Sequence, residues 1–275
     1  MTLKSRNRLF LAFFIISLVC SLVYASFYIY ALVTKSVVPP ENTVRPLGIY
    51  EGRSLFTYSF AASLLAITVF IVYVPVGMFV LLSGFEKTQS IEIIYFSGFL
   101  IGCFAEGIRI ILPLFGLWKT YTSLFIFTGR LVFTGRVLAS LSLLFAAIFS
   151  ETEQRQNVER NYIVLIVVSV LLGMLTPLDT ASIVSTCTVR WGYAKMFNVM
   201  RMLVFLCTIL TTIINAITKD SAELKENAVG YALLLAGYSL LLAADNYFIF
   251  VIATVLFAVG NIFYLRSIHT LYLWR

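Results

Sequence analysis

Charge is what this chain most conspicuously lacks. Only 12% of its 275 residues are Asp, Glu, Lys or Arg, about half the roughly 25% found in soluble domains. Too little polar surface remains to coat a water-soluble globule. Histidine is almost absent, with His269 as the single copy. Metal centres need several His, Cys or carboxylate ligands converging on one point, so no metal and no cofactor is expected. The four cysteines (Cys20, Cys103, Cys187 and Cys207) show neither a disulfide framework nor a metal-ligand spacing. No lysine follows Lys225, which removes the Schiff-base position a late retinal-binding helix would need. The net charge of +7 is spread over short loops and helix ends, whereas nucleic-acid binders gather basic residues on one solvated face. Nucleic acid is excluded as a partner.

Long apolar runs take the place of these features. Hydrophobic residues make up 60% of the chain, and the runs approach the ~20 residues that carry a helix across the hydrocarbon core. Backbone polar groups in that core must be satisfied within the segment, so such runs mean helices. A membrane β-barrel would alternate apolar and polar residues instead. The expected fold is an all-α, polytopic membrane bundle, a single transmembrane domain with eight helices. Their approximate bounds are 9–33, 54–82, 91–118, 122–149, 162–178, 194–217, 228–244 and 247–265.

Particular residues set these divisions. The first run exceeds the 7–15 apolar residues of a secretory signal. Val23-Tyr24-Ala25 resembles a small-residue cleavage site, yet the length favours a retained helix. Pro39, Pro40 and Pro46 break the following connection, and Pro75 should kink the second helix. The last apolar stretch is too long for one crossing, and Asp245-Asn246 reads as the turn of a helical hairpin. Glu151 to Arg160 is the most polar stretch, a solvated loop or helix extension. Arg190, Trp191, Tyr193 and Lys195 form the aromatic-plus-basic mixture of a membrane interface. Eight crossings put both termini on one side. Loops and tails carry ten Lys and Arg on that side against six opposite, so the termini are expected to be cytoplasmic, in a plasma or inner membrane.

Ionisable residues deep in apolar helices face the bundle interior or a wet cavity. Five stand out: Glu106, Arg109, Arg130, Arg136 and Arg201. At a rise of about 1.5 Å per residue, they lie about 12 to 21 Å from the outer helix ends. The third and fourth helices are joined by a very short turn and must be antiparallel neighbours. Folding the chain about residues 120–121 sets Glu106 opposite residue 135, so Glu106 should pair with Arg136 or with Arg109, its i+3 neighbour. Gly98 and Gly102 would let a neighbouring helix approach. Pro113 cannot donate to the carbonyl of Arg109. Phe-Thr-Gly-Arg occurs at 127–130 and 133–136, and six residues turn a helix so that the two arginines point about 120° apart.

Four arginines against one deep carboxylate leave a positive interior, with Asp179 near the outer end of the fifth helix as a second acid. The planar guanidinium fork matches carboxylate and phosphate. The leading expectation is therefore recognition or passage of an anionic small molecule or a membrane lipid. Arg109, Arg130, Arg136 and Arg201 would contact it, Glu106 would hold the arginines, and Asn198 would join from the same level. The competing view is structural: Glu106 satisfies one or two arginines and the rest snorkel outward. A second functional reading is a non-enzymatic sensor or assembly subunit, acting through a membrane or cytoplasmic protein partner on the 151–160 loop. A third is a lipid-modifying enzyme with Glu106 as general base. No nucleophile or metal accompanies that base, so no catalytic residue is assigned.

Overall fold

The structure, a computed structural model, describes residues 3–34, 37, 39–40, 43–46, 57–88, 90–119, 123–149 and 158–273. It is a helical membrane bundle. Helix α1 spans Leu3–Val33, α2 Phe60–Gly84, α3 Ile91–Gly107, α4 Ile111–Phe115 and α5 Ser123–Phe149. Then come α6 (Val158–Leu175), α7 (Ala194–Lys219), α8 (Ala222–Leu242) and α9 (Tyr247–Leu273). Seven helical spans among the described residues are long and apolar enough to cross a membrane, with α3 and α4 acting as one. The 21-residue α8 is not among them. It could reach about 31 Å but has Glu223, Lys225 and Glu226 near its start.

Where the helices end differs from the apolar runs, for local reasons. Helix α8 starts six residues before its apolar run because Ser221 caps it, accepting from Leu224 N. An Ncap hydroxyl satisfies a free N–H, so a polar first turn is still helix. Ser90 caps α3 in the same way, accepting from Ile93 N. The expected C-terminal tail continues α9 to Leu273 instead. There Ser267 donates to Glu223 O at 2.6 Å and Tyr272 to Glu92 Oε2 at 2.7 Å. Pro75 lies inside α2, which runs on through it. Ahead of Pro113 the chain tightens into a 3-10 turn over Ile108–Ile110, as expected where proline withholds the Arg109 carbonyl's donor. Gly116, at φ 55°, ends α4 in the left-handed region. The turn at 120–122 and most of the polar loop (150–157) lie outside the described residues.

Helices α2, α3 and α5 form the centre, whereas α1, α6 and α7 have mostly exposed, apolar outer faces. Arg6 ties α1 to the bundle, donating to Thr88 O at 2.5 Å and Phe85 O at 2.7 Å. Helices α8 and α9 make the closest pair, backbone against backbone at glycines. A Cβ added at Gly237 would lie 2.6 Å from Phe257 Cα. Without a hydrophobic drive between helices in lipid, such close packing is what holds them together. Gly237→Leu is expected to lower stability by about 1–3 kcal/mol through overpacking. A thermal melt in detergent beside Val229→Leu, an exposed site on the same helix, checks this.

One element was not expected: a small three-stranded sheet on the face opposite the termini. Its strands are β1 (Thr43–Val44), β2 (Leu178–Val184) and β3 (Thr188–Trp191), in that order. Strand β1 pairs parallel to β2, with Thr43 opposite Ile183, and β2 pairs antiparallel to β3, with Leu178 opposite Trp191. The region read as the end of a fifth helix and an interfacial loop is thus a hairpin, and α6 stops at Leu175. Pro177 forbids continued helix, and β-branched residues after Asp179 favour strand. The turn is built from Ser185, Thr186 and Cys187, with Cys187 N donating to Val184 O at 2.9 Å and Cys187 at φ 57°. This is the three-residue hairpin geometry that places its last residue in the left-handed region. All three turn residues are buried, pressed into the mouth of the bundle.

Candidate functional site

The centre of the site follows from how closely α3 and α5 approach. Gly102 and Gly135 face each other, and a Cβ on Gly135 would lie 2.8 Å from Gly102 O. One turn beyond Gly102 is Glu106, and Arg136 follows Gly135, so the contact aligns their side chains. Arg136 Nε donates to Glu106 Oε1 at 2.6 Å and Nη2 to Oε2 at 3.0 Å, a bidentate pair. Arg109 Nη1 donates to the same Oε2 at 2.9 Å. One buried carboxylate therefore holds two buried guanidiniums.

Arg109 also reaches the hairpin. Its Nε donates to Thr186 O at 3.1 Å, and Nη2 donates to the same carbonyl. No part of Arg109 is exposed, so its charge is spent on the protein: it fastens the sheet to α3. Of the residues expected to gather round an anion, Arg109 is placed in the scaffold, away from any cavity wall. Arg130 is separated from them altogether. It is exposed on the outer face of α5, consistent with the 120° offset from Arg136 and with snorkelling toward the interface. Arg136, Arg201 and Asn198 do come together, along the wall of one cavity.

That cavity has a volume of about 430 Å³ and opens beside the sheet. Among the described residues, its charged lining consists of Arg45, Arg136, Arg190, Lys195 and Arg201, with no Asp or Glu. Three of these cations have acids behind them. Arg136 shares Glu106, Arg45 Nε meets Asp245 Oδ2 at 2.9 Å, and Arg190 lies 3.9 Å from Asp179. Asp179, in β2, accepts from Ser182 Oγ at 2.6 Å and Ala181 N at 3.1 Å. Those donors, with Arg190, hold its carboxyl below the usual range. It stays ionised at neutral pH as part of the hairpin. Arg136 also lies 5.0 Å over the Trp191 ring, an added cation–π contact. Arg201 differs from them all: its Nε is buried and meets no hydrogen-bond partner. The Tyr238 hydroxyl is likewise buried without a partner.

The charge count is uneven. Arg45, Arg109, Arg136, Arg190, Lys195 and Arg201 converge here, with Glu106, Asp179 and Asp245 against them. Arg190 and Lys195, read from the sequence as an interfacial pair, belong to the same wall as the deep arginines. The turn at Asp245-Asn246 is more than a connection. Asp245, 1% exposed, also accepts from Ser185 Oγ at 3.0 Å and Asn246 Nδ2 at 3.1 Å, binding the α8–α9 end to β1 and the hairpin. Its acidity at the end of an apolar run was visible, but its partner Arg45 lies 200 positions away and no local pattern links them.

The termini side of the interior looks different. Tyr73 donates to Asn261 Oδ1 at 2.5 Å, and Glu92 accepts from Ser90 and Tyr272. Between these groups and the arginines lies a packed aromatic layer. Phe99 and Phe257 stand 6.4 Å apart, and Phe70 and Tyr238 are 5.9 Å apart. Comparison of the chain with protein-family models and with curated proteins yields no match.

Proposed function

We propose that this multi-pass membrane protein recognises an anionic group in the cavity between the sheet and α5, α7 and α8. The observation that carries the reading is Arg201: among the described residues its buried guanidinium Nε lacks a partner and the wall around it holds no carboxylate. Leaving a charged donor unsatisfied away from water costs more than an ordinary lost hydrogen bond. A phosphate or carboxylate seated there would relieve that cost with charge-assisted bonds. Arg201 and Arg136 would be its main contacts, with Lys195, Arg190 and Asn198 around the rim. Glu106 holds Arg136 in place and leaves Arg201 free.

Recognition accords better than passage with the aromatic layer that separates the arginines from the Tyr73–Asn261 pair. Catalysis by Glu106 as a base is disfavoured, because both its oxygens already accept guanidinium N–H bonds. Cytoplasmic termini remain our proposal from the excess of basic residues on that side, which would put the cavity at the outer leaflet.

Native mass spectrometry of the purified chain tests this. Wild type is expected to retain an anionic adduct, and Arg201→Gln to lose at least about tenfold in occupancy, the scale of one charged hydrogen bond. Arg130→Gln, on the outer face of α5, should keep it. Equal adducts in wild type and Arg201→Gln would sink the proposal.

A further inference from the structure

Helices α6 and α7 each pack against α5 but barely touch each other. Their connection is the β2–β3 hairpin, which leaves the bundle at the end of α6 and returns at the start of α7. The space between them is a cleft of about 120 Å³. Arg136, Trp191, Asn198 and Arg201 line both this cleft and the cationic cavity, so the two share a wall. Along α5 the cleft continues from Arg136 past Val137 to Leu141, and along α7 from Arg201 to Val204. Both helices run away from the sheet in that direction, so the cations lie at the head and the apolar walls lie deeper. At the perimeter the cleft is bordered by Leu172 of α6 and Met200 of α7, 36% and 52% exposed.

The geometry points to an anionic amphiphile as the occupant, one that enters sideways from the membrane between α6 and α7. Its headgroup rests on Arg201 and Arg136, and its hydrocarbon chain lies in the cleft along Val137, Leu141 and Val204. This rests on the anion-binding reading and narrows it. A small soluble anion would fill the head of the site and leave the deeper walls without partners. Those walls offer an anion no donor: the Ser140 hydroxyl, the hydroxyl among them, already donates to Arg136 O at 2.8 Å. A hydrocarbon chain suits them by packing, since lipid tails are as apolar as the walls and no transfer from water is involved. The opening toward lipid supplies the route, and the charge at one end sets the orientation.

The test uses the full chain in a neutral detergent, with inorganic phosphate, dioleoyl phosphatidate and dioleoyl phosphatidylcholine as probes, followed by native mass spectrometry. Phosphatidate is expected to bind at least about tenfold tighter than either of the others, through charge-assisted bonds that the zwitterion cannot match and chain packing in the cleft that phosphate lacks. Val137→Phe, which fills the cleft, should weaken phosphatidate about tenfold and leave phosphate unchanged. Leu172→Trp, at the exposed rim, provides a second block should Val137→Phe fail to fold. If phosphate and phosphatidate bind alike, or cleft filling changes neither, the amphiphile inference is overturned while the anion site stands. If no probe binds and Arg201→Gln changes nothing, both fall.

Discussion

Glu106→Gln will cost about 3–5 kcal/mol of stability, the scale of leaving buried charge unpaired. The single carboxylate accepts from Arg136 and Arg109 together, and among the described residues no other acid pairs with either guanidinium. Glutamine keeps the shape and one acceptor oxygen but brings an NH₂ against two sets of N–H donors. With total stabilities typically at about 5–15 kcal/mol, such a loss should appear as a large fall in melting temperature and in the yield of monodisperse protein. The cause can be separated from lost packing. In the Glu106→Gln background, Arg136→Met removes one of the two stranded charges and should recover part of the loss, although Arg136→Met alone is destabilising. Measured melts of the four proteins give that coupling directly. Additive losses, or a Glu106→Gln melt within about 1 kcal/mol of wild type, would show that the triad contributes little and that water reaches it.

Asp245→Ala should act locally, and Cys187 reports it. In the wild type the Cys187 side chain sits in the hairpin turn at 1% exposure, and burial pushes its thiol up to about 12. The thiolate is the reactive form, so at pH 7.4 roughly 10⁻⁵ of the population is reactive and none of it accessible. Maleimide should leave Cys187 unlabelled until the protein is unfolded. Asp245→Ala removes the acceptor for Arg45, Ser185 and Asn246. Arg45 is partly exposed and regains some hydration, so the loss should be smaller than at Glu106, about 1–3 kcal/mol. In an opening equilibrium that is roughly a ten- to hundredfold rise in labelling rate at Cys187. Mass spectrometry resolves it from Cys20, Cys103 and Cys207. Rapid labelling of Cys187 in wild type would mean that the turn is not seated in the bundle. An unchanged rate in Asp245→Ala would assign the seating to Arg109 and Thr186 instead.

The pairing of Glu106 with Arg136 was legible because it depends on short-range facts. A short connection forces α3 and α5 antiparallel, and counting residues from it aligns position 106 with 135. The offset of about 120° between Arg130 and Arg136 was legible too, but not which of them faces outward: Arg130, expected among the anion's contacts, is exposed. The hairpin was not legible. Its β2 strand pairs with Thr43 and Val44, which adjoin segments rich in proline and polar residues, and a two-residue strand has no periodicity to detect. Arg190 and Lys195 looked interfacial because aromatic and basic neighbours signal that setting. Nothing local said that the hairpin would turn them toward Arg201.

Composition and run length alone determined that this chain lives in a membrane as a bundle of helices. Hydrocarbon admits only backbones that satisfy themselves, and that constraint acts on each segment separately. They also picked out Glu106, Arg109, Arg136 and Arg201 as charges within apolar helices, although Arg130, counted with them, faces outward. Tertiary structure decided which of those charges are spent on the protein and which stay available. Neutralisation depends on the distance between groups on different segments: Glu106 satisfies Arg109 and Arg136, Asp245 satisfies Arg45, and the gap between α6 and α7 leaves Arg201 facing a cavity. Such distances follow from packing, and a count of charges along the chain does not contain them.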